Sequence, residues 1–211
     1  MIQSLPLRAR FLKPLCLAAL LCAAASSQAA ITVYTSQADF LAAVSAPGVD
    51  SFDDLTVDPY GDTLDRTAGS YTYQAYSPGG LWGAGAAGNY WLSNNTQTDP
   101  IVFSNFSGGA SAFGGNFFTS DLAGQYAPGG NVVLTATDGT SLTYSLNGTT
   151  QSSFLGFVSD AALSSVSLST DGGVYWATAN DVVLAVPEPA TYGMLLAGLG
   201  FVGLMGRRRR A

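Results

Sequence analysis

A mainly β fold, an antiparallel β-sandwich of jelly-roll type with one short N-terminal helix, is what the sequence predicts for the body of this 211-residue chain. Three observations carry the prediction. Short β-branched or aromatic runs recur at residues 71–76, 101–106, 112–119, 132–137, 141–146, 154–158, 163–168, 174–177 and 182–186, and many of them alternate apolar with polar residues as half-buried strands do. Gly, Asn, Asp and Ser fill the gaps between them, which are the residues that turns require. Asp138-Gly139 stands between two such runs and signals a two-residue hairpin. Regular spacing of short strands argues for two packed sheets.

Taken in order, the chain opens with a secretory signal peptide over residues 1–29. Arg8, Arg10 and Lys13 form its basic region, residues 15–25 its short apolar run, and Ser27-Gln28-Ala29 a small-residue cleavage site. Both cysteines, Cys16 and Cys22, fall in this leader, so the mature protein is expected to hold no thiol, disulfide or cysteine metal site. The exported domain then spans residues 30–185, one domain's worth of chain. Ser36-Gln37-Ala38-Asp39 has the form of a capping box and opens a helix through Phe40, Leu41 and Val44, stopped at Pro47-Gly48. Beyond it helix signals vanish. The Gly-rich stretch 81–95, with Trp82, Tyr90 and Trp91, reads as a long loop.

The tail, residues 186–211, has a different character. Residues 190–206 carry no charge, and as a single transmembrane helix they reach roughly 25 Å, just short of a bilayer core of about 30 Å. Arg207, Arg208, Arg209 and Arg210 follow and orient the span with its C-terminus in the cytoplasm. Pro187 and Pro189 bracket Glu188 and push the strip before the span into extended backbone. The motif Val186-Pro187-Glu188-Pro189, a short Gly-rich apolar span and a terminal arginine cluster together resemble the PEP-CTERM sorting signal of exported bacterial proteins. The resemblance covers about an eighth of the chain. It implies that Pro187, Glu188 and Pro189 are read by an exosortase, a membrane protease-transpeptidase. It also implies transient anchoring in the inner membrane, then release to the cell envelope, surface or extracellular matrix, in a setting of exopolysaccharide and biofilm.

Charge narrows what the exported domain can do. Thirteen aspartates face a single basic residue, Arg66, which leaves about twelve negative charges. Nucleic acid is excluded as a partner, because phosphate backbones need basic patches. Without His, Cys, Lys or Glu between residues 30 and 185, no serine or cysteine triad, histidine zinc site or Schiff-base lysine can be assembled. The domain is therefore read as no enzyme. An aspartate-dependent glycoside hydrolase, which needs two carboxylates, would draw on Asp53, Asp54, Asp58, Asp62 and Asp65, but Asp beside Pro59 and Gly61 is the composition of a solvated turn.

Calcium is the better use of that acid, since hard oxygen ligands suit it. Its candidate ligands are Asp53 and Asp54 near the first strands and Asp181 near the last. The pairing of Phe52-Asp53-Asp54 with Asn180-Asp181-Val182-Val183-Leu184 is similar to exported β-sandwich domains with lectin-like or carbohydrate-binding relatives. Trp82, Tyr90 and Trp91 are the candidate ligand contacts, as aromatic faces stack on sugar rings; folding back as a lid on the sandwich is the alternative use of at least two of them. The sequence thus predicts an envelope or matrix protein sorted by its tail, or a polysaccharide-binding module on a calcium-stabilised sandwich.

Overall fold

The computed structural model describes residues 30–188, so the expected leader and apolar span lie outside the described residues. Twelve strands and one helix make up the body, and every strand pair is antiparallel. In chain order they are β1 (Ile31–Tyr34), α1 (Gln37–Ala42), β2 (Val44–Asp50), β3 (Pro59–Ala68), β4 (Tyr71–Ala86), β5 (Asn89–Asn94), β6 (Ile101–Ser104), β7 (Ala112–Ser120), β8 (Val132–Thr137), β9 (Ser141–Leu146), β10 (Phe154–Ser159), β11 (Ser165–Thr170) and β12 (Trp176–Pro187).

Hydrogen bonding runs without a break through β1-β10-β7-β12-β5-β4-β6-β11-β8-β9, and the long strand β4 is where this ribbon folds over. Its first half pairs with β3 and β6, its second half with β5 and, at Leu81 and Trp82, with the bulged start of β3. Between the halves lie Pro78, Gly79 and Gly80, the last at φ +97°, a corner that only glycine turns without strain. One layer is thus β1-β10-β7-β12-β5 with the end of β4; the other is β3, the start of β4, β6, β11, β8 and β9. Phe103, Phe113, Phe117, Leu81, Leu92, Ile101, Leu134, Leu155 and Phe157 fill the space between them.

The long strand β12 lies at the centre of the first layer. It pairs with β7 along its length, with β5 at its start and with β2 at its end. Between Asn180 and Val183 the register shifts, and Asp181 takes φ +48° at the bulge, as an extra residue in one strand demands. The bulge restores the outward face to Val183 and Ala185. There Phe40 of α1 lands, packed with Val44, Ala112 and Phe154. Gly114 and Gly156 make the seat for its ring.

Four local expectations are corrected. The helix ends at Ala42 with Ala43 as its cap, so Val44 and Pro47-Gly48 lie in β2, where pairing with β12 outweighs the helix pattern. The stretch 81–95 is the β4–β5 hairpin, its glycines allowing strands to cross close to other backbone. The acidic run around Pro59 is the start of β3. The turn at Asp138-Gly139 includes Thr140, because the Asp138 N–H and carboxylate both bond Thr140.

Candidate functional site

Strand alternation decides what the first layer shows to the outside. Trp82 on β4 is opposite Ser93 on β5, and Ser93 is opposite Thr178 on β12. In the next row Trp176 is opposite Ser120 of β7. Directly opposed residues share a face, so two indoles and three hydroxyls meet on the outer surface. The two indoles, Ser93 and Ser120 line a groove of about 380 Å³, with Thr178 beneath them. Its floor is a hydroxyl ladder: Ser120 and Thr178 oxygens are 2.9 Å apart, Ser93 and Ser120 3.3 Å, and Ser93 donates to the Ala177 carbonyl at 3.0 Å. All three are buried.

The walls are fixed with equal care. The Trp176 indole N–H donates to the Asn95 carbonyl at 3.0 Å, which sets the ring's orientation. Opposite stands the turn after β7, in which Asp121 Oδ1 accepts from the Ala123 and Gln125 N–H groups, each at 2.9 Å. Gly85 N–H donates to the Gly124 carbonyl, and Gln125 Nε2 returns to the Gly85 carbonyl. Gly124, at φ +71°, sits so near Ala84 that an added Cβ would come within 3.0 Å of it. Pinned this way, the turn carries Leu122, 85% exposed, to the rim, where Val57 is 47% exposed.

The three aromatics singled out in the sequence do not converge. Trp82 lines the groove. Trp91 shares its face but is buried under Phe118 and Tyr126, its ring centroid 5.3 Å from that of Phe118. Tyr90 points to the other face and packs on the main core. Trp176, the second indole of the groove, went unnoticed, because the pairing that brings β12 beside β5 has no local signal in the sequence.

Of the candidate calcium ligands, Asp53 and Asp181 lie near enough for one charge to act on the other, whereas Asp54 is taken up by Arg66. Asp54 gives both oxygens to Arg66, at 2.8 and 2.6 Å. The same guanidinium grips buried Asp50 at 2.9 and 2.6 Å, and Asp50 accepts from the Tyr73 hydroxyl at 2.7 Å. Arg66 also lies 5.1 Å from the centre of the Phe52 ring, a cation–π arrangement. Burial by itself would lower the Arg66 pKa, but the hydrogen bonds it donates to Asp54 and Asp50 outweigh that and hold the group above its ordinary value. The Arg66 hydrogen bond holds the Asp54 carboxyl below its usual range. Burial, with the Asp50 charge, pushes the Tyr73 phenol well above 10.0. Asp181 is a different case: partial burial raises its pKa against the bond from Asn116 Nδ2 at 3.1 Å, and the Asp53 charge adds to the rise. Among the described residues no three His, Cys, Asp or Glu side chains gather as a metal cage. Of the other acids, Asp58 accepts from Thr56 and Asp65 from Gln74.

At the far end of β12 the motif begins inside the fold. Val186 is opposite Ser45 and Pro187 opposite Val44. Glu188 N–H donates to the Ala43 carbonyl at 3.1 Å, and the Ser45 hydroxyl to the Pro187 carbonyl at 3.4 Å. Pro189 and the four arginines lie outside the described residues. Among those described, no helix is long and apolar enough to cross a membrane.

Residues 185–210 match the family model of the PEP-CTERM protein-sorting motif; the chain carries that motif. No curated protein matches the sequence significantly. Among solved structures, one described as TmCBM61 in complex with β-1,4-galactotriose aligns over 54% of this chain and 88% of its own, at 10% identity and a TM-score of 0.29. A similarity of that size transfers no ligand and no residue. The antiparallel sandwich rests on the strand pairings themselves.

Proposed function

We propose that this chain is an exported protein of the cell envelope or extracellular matrix, delivered through its C-terminal tail and processed there by an exosortase. The match of residues 185–210 to the sorting motif carries the reading. In it, residues 1–29 are a leader removed on export, residues 190–206 anchor the chain transiently in the inner membrane, and the β-sandwich is the cargo. The cargo is non-enzymatic and works in a surface layer rich in exopolysaccharide. Mass spectrometry of the exported protein tests this: the expected product starts near Ala30 and ends between Val186 and Pro189. A surface protein that keeps Arg207 to Arg210 would reduce the tail to a plain anchor. Glu188→Gln, which hardly alters hydrophobicity, is expected to slow processing while leaving insertion intact.

A second reading, that the cargo binds polysaccharide, is supported by one specific observation. Two indoles flank a hydroxyl floor on an outward sheet face that lies clear of the core.

A further inference from the structure

We propose that the groove between Trp82 and Trp176 binds a neutral polysaccharide chain, with the indole rings taking the apolar faces of successive sugars. The proposal rests on the polysaccharide-binding reading and gives it a site and a ligand class. Pyranose rings present two kinds of surface, C–H faces that stack on aromatic rings and hydroxyl edges that need hydrogen-bonding partners. The groove offers the indole faces and, on its wall, the exposed Asp121 carboxylate as a hydrogen-bond acceptor, while the buried hydroxyls of Ser93, Ser120 and Thr178 bond one another and hold the floor in shape. Trp82 and Trp176 stand on adjacent rows of one face, with Ser93 on β5 between their strands and Thr178 and Ser120 continuing the buried hydroxyl ladder under β12 and β7. A volume of about 380 Å³ is within the range of small-ligand sites, roughly 300–1,000 Å³.

Charge selects a neutral polymer over an anionic one. Arg66 is the single basic residue between positions 30 and 185, and it is fully engaged by Asp50 and Asp54 away from the groove. An anionic chain would find no counter-charge here and would meet a strongly negative domain. Asp121 supplies an acceptor instead: both of its loop bonds fall on Oδ1, which leaves Oδ2 outside them. The exposed side chains of Leu122 and Val57 extend the apolar contact along the rim. Because the turn at 121–125 is bonded to β4 at Gly85, the site is formed before ligand arrives, which lowers the ordering cost of binding.

Affinity gel electrophoresis of the exported protein is the test, with a glucan, a mannan, a galactan and a xylan as neutral probes and alginate as the anionic one. At least one neutral gel is expected to retard the protein while alginate does not. Trp82→Ala and Trp176→Ala are each expected to weaken the interaction about tenfold or more, the scale of one lost stacking contact. Trp82→Phe should recover part of the loss. Leu122→Glu, at a position too exposed to disturb folding, should also weaken binding, and Tyr144→Ala on β9 should change nothing. Retardation by a neutral gel that survives both tryptophan replacements and Leu122→Glu in folded protein overturns the site and leaves polysaccharide binding standing. Failure of every neutral gel, or preference for alginate, overturns the polysaccharide reading together with the site.

Discussion

Asp181 carries an electrostatic cost that a single atom exchange removes. Its carboxyl is half out of water, close to the Asp53 charge, and its pKa is raised. A raised acid pKa means that the folded state disfavours the carboxylate. The cost is absent well below the unfolded value of 3.8, where both states are protonated, builds as pH rises from there to the raised folded value, and is constant above it up to neutrality. Asn at this position keeps an acceptor for Asn116 and tolerates φ +48°. Asp181→Asn is therefore expected to raise the melting temperature at pH 7 and to lose that advantage at pH 3. An equal gain at both values would trace the effect to backbone preference. Arg66 shows the opposite economy: the domain's single cation is spent on organising the loop between β2 and β3, where removing one partner of a buried pair costs about 3–5 kcal/mol.

For elements, the seat of α1 is the sharpest test. A six-residue helix has little stability of its own and holds its place through Phe40. A Cβ on Gly156 would stand 2.4 Å from Phe40 Cδ2, so Gly156→Ala is expected to cost about 1–3 kcal/mol by overpacking. Phe40→Ala should cost about 3–5 kcal/mol. In the double variant the new methyl group occupies vacated space, so denaturant midpoints should show less than the sum. Elements of this kind were partly legible beforehand. Ser36 announced α1, and its hydroxyl does accept from the Asp39 N–H; alternating runs announced β8, β9 and β11. β3 and the end of β4 were hidden because their glycines and aspartates are turn residues locally and strand residues only when paired. The groove was half legible for the same reason: Trp82 stood out, whereas Trp176 acquires its role through β12 lying beside β5.

For the whole molecule, β12 ties folding to processing. Val182, Val183, Leu184 and Ala185 are fully buried, so a chain ending at Asn180 is expected not to fold. One ending at Glu188 keeps every sheet contact and should melt at the temperature of the longer protein by circular dichroism. The pairing of Val44 and Ser45 with the end of β12 also sets a clearance. Between Pro187 and the apolar run at Ala190 lie only Glu188 and Pro189, three residue steps or at most about 11 Å of extended chain. In the proposed reading, a protease acting at that spot meets a strip whose start is already held in the sheet. A cut beyond Glu188 disturbs nothing above it; a cut before Pro187 requires the first rungs of β2 to be prised open. On the same reading, that short clearance would hold the cargo close to the membrane, so that the shape of the sandwich decides how a neighbouring enzyme can approach.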